Sequence, residues 1–369
     1  MTRRMTRREF LQKVAGVGIG VAASGGLIAF LQGKGAQQRG AAGTVSPSAT
    51  SSLARLSPTG TPTSAMPSSP TATPTGAPAS VAPSAAPVSA TGTATPTVTS
   101  VPAVPDLVAA RGADPVASTR AAVDNLGGMG RFVKRGQRVL VKPNICIAAP
   151  PEQAATTNPD VVGTLVKMCL EAGAASVLVL DYPFASFDAA YDASGIAQAV
   201  AAAGGSMEKI SDYKFREVRL PDGEDLHSIG IYEEVLKADV LIDVPIAKHH
   251  GIAQLTIGMK NLMGVVNNRA TFHANFKKRL PDLLTAVRPT LTVVDAVRIL
   301  TNGGPTGGDP NDVQRLDMVI ATADIVAADA YASTLFGKKP DYLAYVAHAA
   351  ERGLGVADLG RLQVAEVRV

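Results

Sequence analysis

ADVLIDVPIAKHHGIAQLTIGMKNLMGVVNNRATFH, residues 238–273, decides how the rest of this 369-residue chain is read. Val240, Leu241, Ile242 and Val244 form a short apolar run bounded by Pro245, the pattern of a buried strand. The stretch then changes character and brings Lys248, His249, His250, Lys260, Asn261 and His273 close together in sequence. Three of the chain's 5 histidines fall here. A buried strand that runs into basic and imidazole groups is how α/β proteins build sites, because loops at strand C-termini converge on one crevice.

Working outward, the same alternation of strand and helix recurs. Arg138-Val-Leu-Val-Lys142 is a strand ending at Pro143-Asn144. Asn158-Pro159 opens a helix that keeps Val161, Leu165, Met168 and Cys169 at helical spacing and stops at Gly173. Ser176 to Asp181 is a second strand with a carboxylate at its end, so the segment reads as a parallel, buried βαβ unit. An alanine-rich helix is expected over 188–203, and a hairpin over 207–230 around Pro221-Asp222-Gly223. A short helix, Tyr232–Lys237, precedes the central stretch. Leu291 to Asp295 and Met318 to Ala321 add strands, separated by the glycine-rich loop Asn302–Asp309 and followed by a helix carrying Asp329. The pattern predicts an α/β fold: a central, largely parallel or mixed sheet flanked by helices.

The region before residue 106 is of another kind. Thr6-Arg7-Arg8-Glu9-Phe10-Leu11-Gln12-Lys13 resembles a twin-arginine export signal, departing from it by the Gln before Lys13. A mild apolar run, Val14 to Leu31, follows it. Residues 1–40 are therefore expected to be a signal or a retained anchor, with the twin-arginine translocation machinery as partner. The membrane is contacted only there, and the domain is placed outside the cytoplasmic membrane, at the cell surface or secreted. Residues 41–105 carry one charge, Arg55, amid Pro, Ser, Thr and Ala, and are expected to be a disordered spacer. Residues 106–369 form the folded α/β domain.

The overall charge of +4 misleads. Eight of the 35 basic residues but only one of the 31 acidic ones precede residue 106, leaving 27 against 30 and a net −3 for the domain. That balance argues against a nucleic-acid surface. The 2 cysteines, Cys146 and Cys169, cannot ligate an iron–sulfur cluster by themselves. They are either a disulfide or two buried thiols.

The motifs together resemble the family known as domain of unknown function 362. The likeness lies in Lys142-Pro143-Asn144, in Thr157 to Val162, in Lys248-His249-His250 and in Lys260-Asn261-Leu262-Met263-Gly264. It extends through His273, Pro281-Asp282-Leu283, Pro289 to Asp295, Gly304-Pro305-Thr306-Gly307 and Asp324 with Asp329. Some members of that family carry ferredoxin-like cysteine segments, which this chain lacks. The resemblance implies an α/β domain with a shared polar site and no assigned reaction.

Three chemistries compete for that site. Lys142, Lys248 and Lys260, with Asn144, Asn261 and Asp295, suit a small anion. The loop amides around Gly304, Thr306 and Gly307 are expected to form a nest for it, although no Walker spacing is present. Against this stands a glycine-rich turn with solvated lysines. Alternatively, His249, His250 and His273 with Asp181, Asp295 or Asp329 supply imidazole and carboxylate ligands for a divalent metal, with His250, Asp181 and Asp329 the leading candidates. Adjacent histidines on extended chain point to opposite faces, so His249 and His250 are not expected to share one ion. Third, Lys248, His249, Lys260 and His273 supply acid–base groups. No nucleophile elbow is present, and neither cysteine has an evident activating partner in sequence. The expectation is an exported enzyme acting on a small anionic substrate. The competing reading is a non-catalytic extracytoplasmic anion- or metal-binding protein.

Overall fold

The computed structural model describes residues 103–369. The expected leader and nearly all of the expected spacer lie outside the described residues. Ten strands form one sheet: β1 (Leu107–Arg111), β2 (Arg138–Pro143), β3 (Ser176–Val179), β4 (Ser206–Met207), β7 (Val240–Val244), β8 (Ile246–His250), β9 (Gln254–Thr256), β10 (Leu291–Leu300), β11 (Val313–Thr322) and β12 (Val364–Arg368). β5 (Phe215–Arg219) and β6 (Ser228–Tyr232) make a separate antiparallel hairpin, where the turn at 221–223 required one. The order in the main sheet is β12-β1-β11-β10-β7-β2-β3-β4, with β8 beside β10 and β9 beside β8. Within that sheet only β11 and β9 run against the rest. The fold is α/β with a mixed, mainly parallel sheet.

Among the described residues nine helices surround it: α1 (Pro115–Asn125), α2 (Pro159–Glu171), α3 (Phe187–Ala193), α4 (Ile196–Ala202), α5 (Glu233–Lys237), α6 (Gly258–Asn261), α7 (Phe276–Ala286), α8 (Ile325–Thr334) and α9 (Ala344–Glu351). Strand alternation sorts the core into two layers. Leu140, Leu241, Val294 and Ile320 face α7, α8 and α9 through Leu283, Ala328 and Val346. Val141, Ile242, Val293 and Val319 face α1, α2 and α4 through Val123, Leu165 and Val200. Both faces of the central strands are thus dry, which is why β2 and β7 read as nearly continuous apolar runs.

Local signals acted as expected at several points. Asn158 caps α2 by accepting from the Asp160 amide at 2.9 Å, and Pro159 takes the first turn, where its missing N–H costs nothing. Asp324 caps α8 by accepting from Val326 and Ala327 at 2.8 and 3.1 Å. One expectation is corrected, and one helix-like spacing does not form a helix. The helix over 188–203 is two helices, because the chain turns left-handed at Gly195 (φ 71°) between them. The segment from Leu255 to Val266 keeps a helical apolar spacing, yet Leu255 belongs to β9 and α6 is a single turn followed by a 3₁₀ turn at 262–265. Pairing of β9 with β8 fixes Leu255 as strand. All four apolar residues of that stripe, Leu255, Met259, Leu262 and Val266, are buried. Of the two readings for the cysteines, the structure shows free, buried thiols.

Candidate functional site

Lys142 and Asp243 sit opposite each other on the parallel pair β2/β7, on a face otherwise filled by leucines and valines. Lys142 is fully buried. Its ammonium meets Asp181, just beyond β3, at 2.8 Å, and donates to Asn261 Oδ1 at 2.7 Å and Pro143 O at 2.8 Å. Asp181 also accepts from the Ile145 amide at 2.5 Å. This buried pair is therefore charge-neutral and hydrogen-bonded, the condition under which a low-dielectric ion pair is tolerated. Gly264 packs onto it. A Cβ there would lie 2.0 Å from Asp181 Oδ1 and 2.7 Å from Lys142 Nζ, so the glycine is a requirement of close approach.

Asn261 links the pair to its surroundings. Its Oδ1 accepts from Lys142 and from Asn144 Nδ2 (2.9 Å), while its Nδ2 donates to Lys142 O (3.1 Å) and Asp243 Oδ1 (2.8 Å). Burial raises the pKa of Asp243 well above the carboxylate range, against the opposing pull of Lys142. Its Oδ2 has no partner among the described residues. A protonated carboxyl at this point needs none of the charge compensation that Asp181 receives.

Lys248 lies on β8, past Pro245, and is 1% exposed. Three neutral oxygens hold it: Asn144 Oδ1 (3.0 Å), Ala155 O (2.5 Å) and Pro305 O (3.0 Å). Burial lowers its pKa. Lys260, on α6, differs. Its ammonium stands 5.7 Å from the centre of the Phe276 ring and makes no hydrogen bond within the described residues. Burial first, then Lys248, Arg269 and Lys142, bring its pKa down to about 7. Arg269 is stacked on Tyr182 (4.2 Å) and Phe184 (4.6 Å) and donates to Tyr182 O at 2.5 Å.

These groups surround a cleft of about 50 Å³ at the C-terminal ends of β2 and β3. Its wall includes Lys142, Asn144, Cys146, Asp181, Lys248, His250, Thr256, Lys260, Asn261 and Arg269. Lys142 and Asp181 cancel, so Lys248, Lys260 and Arg269 leave an excess of positive charge. His250 is on the wall as a neutral ring. Its Nδ1 accepts from the Ile252 and Ala253 amides, both at 3.1 Å, which puts the proton on Nε2. Burial and then Lys260 hold its pKa down at about 3.

Seven of the expected site residues thus come together: Lys142, Asn144, Asp181, Lys248, His250, Lys260 and Asn261. The others do not. His249 turns away from His250, as strand alternation requires. Its Nδ1 accepts from the Gly304 amide at 3.1 Å, and it lines a separate open cleft with Gln314 and Phe336. His273 is exposed, edge-on to Phe276 at 5.1 Å. Asp295 accepts from the Asn158 and Val297 amides at 2.7 and 2.9 Å and straps α2 to the sheet; burial lifts its pKa to about 6. Asp329 caps α6 by accepting from Gly258 and Met259 at 2.6 and 3.1 Å, and burial lifts its pKa to about 8.

The glycine loop is a further correction. It offers the cleft a carbonyl, Pro305 O, and no amide nest. The Gly304 and Gly307 amides are taken by His249 and by Gly303 O, and Thr306 is exposed. Gly304 is needed because a Cβ there would lie 1.8 Å from His249 O. The metal candidates are also dispersed: Asp181 is committed to Lys142, His250 Nδ1 to two amides, and Asp329 to α6. Among the described residues no three His, Cys, Asp or Glu side chains converge as a metal-binding group.

The sequence reading missed Cys146, Thr256, Arg269 and the aromatic pair Tyr182 and Phe184. Strand ends held the signal for three of them, since Cys146 follows β2 and Tyr182 and Phe184 follow β3. Arg269 and Thr256 had none.

An α/β sheet with a cationic cleft at its parallel strand ends defines the class of protein. The chain belongs to the family described as Domain of unknown function (DUF362), whose model matches residues 139–334. It is 32% identical over 229 residues to the thylakoid-associated protein sll1697 of Synechocystis sp., covering 58% of this chain and 67% of that protein. Among solved structures it is similar to the lactate racemase apoprotein of Thermoanaerobacterium thermosaccharolyticum, with a TM-score of 0.40 and 11% identity over 62% of this chain and 56% of that one. A protein from Thermotoga maritima gives the same TM-score of 0.40 at 11% identity, over 62% of this chain and 60% of that one. The chain thus spans between half and two thirds of the length of both solved neighbours.

Proposed function

We propose that the domain is an enzyme that binds a small anion in the strand-end cleft and uses Lys260 as its proton-transfer group. The observation that carries this reading is the Lys260 ammonium, which lines the cleft without a hydrogen-bond partner while Lys248 and Arg269 stand beside it. A desolvated cation kept without a counter-ion is costly unless a ligand supplies one. Arg269, clamped flat by two rings, offers a planar fork suited to a carboxylate or phosphate. An amine whose pKa is about 7 exchanges its proton at neutral pH, which is the condition for acid–base work. The hydroxyl of Thr256, 3% exposed and without a partner, remains to orient the ligand.

The test is calorimetric titration with acetate and phosphate across pH. An anion favours the charged amine, so affinity should strengthen as pH falls through about 7 and weaken above it. Lys260→Met should abolish that pH dependence. It should also stabilise the ligand-free protein, because the native amine has lost affinity for a proton that the unfolded chain binds up to its ordinary pKa near 10.5. The contribution of Lys260 to stability should therefore rise with pH above 7, and Lys260→Met should remove that component of the pH dependence. The residue is partly exposed, so we expect a gain of only about 1 kcal/mol, or roughly 2–4 °C in the unfolding midpoint. A variant that binds acetate as the parent does, with the same pH profile, would remove Lys260 from the site. A non-catalytic binder would show the same titration and no product from any carboxylate or phosphate ester offered to it.

Export belongs to the same proposal. It is supported by Arg7-Arg8 with Phe10-Leu11 ahead of an apolar run. The thylakoid association in the printed name of the Synechocystis relative is in keeping with a membrane-linked role. Replacing both arginines with lysine is expected to leave the protein in the cytoplasm, read by fractionation and immunoblot. Undiminished export of that variant would exclude the twin-arginine route.

A further inference from the structure

The proposed binding function leaves one chemically capable side chain of the cleft unused. Cys146 follows β2 and lines the cleft, and it is 6% exposed. The other thiol, Cys169, is in the core between the sheet and α1 and α2, 3.9 Å from the Met129 sulfur, where burial pushes it up to about 12. Cys146 instead shares the cleft wall with Lys248, Lys260 and Arg269. An independent feature of the same wall points to a ligand: the buried Thr256 hydroxyl faces the cleft with no partner among the described residues.

We propose that Cys146 is the covalent nucleophile of this site, attacking the carbonyl carbon of a small oxo-acid whose carboxylate is held by Arg269. The inference rests on the anion-binding reading above and deepens it. In the step, the neutral Lys260 amine takes the thiol proton and the sulfur attacks the carbonyl carbon. The new carbon–sulfur bond replaces the π bond, whose electron pair moves to oxygen. That oxygen then takes the proton back from Lys260, giving a hemithioacetal or hemithioketal, with Thr256 placed to donate to it. No electrons are gained or lost overall, so no oxidant or reductant is required. Nucleophile and proton carrier in one closed cleft is the arrangement covalent catalysis needs.

The test uses the intact protein and two alkylating agents of similar size, iodoacetate and iodoacetamide, with peptide mapping of both cysteines. A cleft with excess positive charge concentrates the anionic reagent by about 10-fold or more. Cys146 is therefore expected to favour iodoacetate over iodoacetamide by about 10-fold relative to the ratio shown by free cysteine, while Cys169 reacts with neither in the folded state. Glyoxylate should protect Cys146, and Arg269→Gln should lower the iodoacetate preference toward that of free cysteine. If Cys146 reacts with neither reagent, or shows no charge preference, while the unaltered protein still binds acetate, the nucleophile is overturned and the anion site stands. If the unaltered protein does not bind acetate or phosphate at all, the anion-binding reading itself falls.

Discussion

Gly264→Ala is expected to lower the stability of the domain by about 3–5 kcal/mol, enough to leave most of a typical domain unfolded on mild warming. The methyl group would sit 2.0 Å from Asp181 Oδ1 and 2.7 Å from both the Lys142 Cε and Nζ atoms. Neither partner can retreat cheaply. Lys142 is tied to Asn261 and Pro143, and Asp181 to the Ile145 amide. Room for the methyl group comes only by separating a buried ion pair in a low-dielectric interior, where each charge left alone carries a penalty of several kcal/mol. Urea denaturation of the parent and the variant measures the difference. A variant within about 0.5 kcal/mol of the parent would show that the turn at 262–265 yields more freely than its packing implies.

Asp181→Ala acts on the same pair from the other side and is expected to cost about 3 kcal/mol, since it leaves the Lys142 charge buried without its partner. The loss has a partial remedy already in place. Asp243 lies opposite Lys142 in register, close enough for the two charges to be felt, and is held protonated by burial. With Asp181 gone, Asp243 can release its proton and take over the pairing. Asp181→Ala combined with Asp243→Asn should therefore cost more than the two single changes added together, a coupling that a double-mutant cycle in urea reads directly. Additive losses would mean that Asp243 does not respond to Lys142. Replacing both members of the pair, Lys142→Met with Asp181→Leu, should recover part of the stability that Asp181→Ala removes.

Much of the fold was legible because burial on both sheet faces leaves a plain mark. The apolar runs at Val139–Val141, Val240–Ile242 and Leu291–Val294 are strands, and the Asn158-Pro159 signal starts α2 where capping chemistry says it should. The edges were harder to read. β1, β12 and α9 pass through sequence with no strong period, and their places follow from the pairing of β1 with β11, of β12 with β1, and from packing of α9 on α7. The site was half legible. Residues adjacent to strand ends, such as Lys142, Asn144 and Asp181, follow from topology alone. Side-chain direction was the missing information elsewhere. His249 and His250 are neighbours in sequence, yet only His250 reaches the strand-end cleft. Asp295 and Asp329 looked like ligands because they are carboxylates near strand and helix ends, whereas each is spent holding backbone amides. Asp243 passed unnoticed inside an apolar run. Arg269 reaches the cleft through its stacking on Tyr182 and Phe184, a tertiary arrangement that no spacing announces.

The buried carboxyl groups carry a consequence for the whole chain, best expressed as a proton inventory. Asp329, raised to about 8, holds a proton in the native state at neutral pH, Asp295, at about 6, takes one up on mild acidification, and burial pushes Asp243 in the same direction. Unfolding near pH 7 returns them to ordinary carboxyls that release those protons to the buffer. For a group whose native pKa is raised, the stabilising contribution is complete below the unfolded value near 4 and disappears as pH climbs through the native one. These clamps therefore hold hardest in mild acid and slacken as pH rises through about 6 for Asp295 and about 8 for Asp329. Lys260 runs the opposite way: the penalty of burying its charge eases as pH rises above about 7. The proton is thus a structural component of this sheet, and Asp295 and Asp329 gain from acidity that would weaken salt-bridged aspartates.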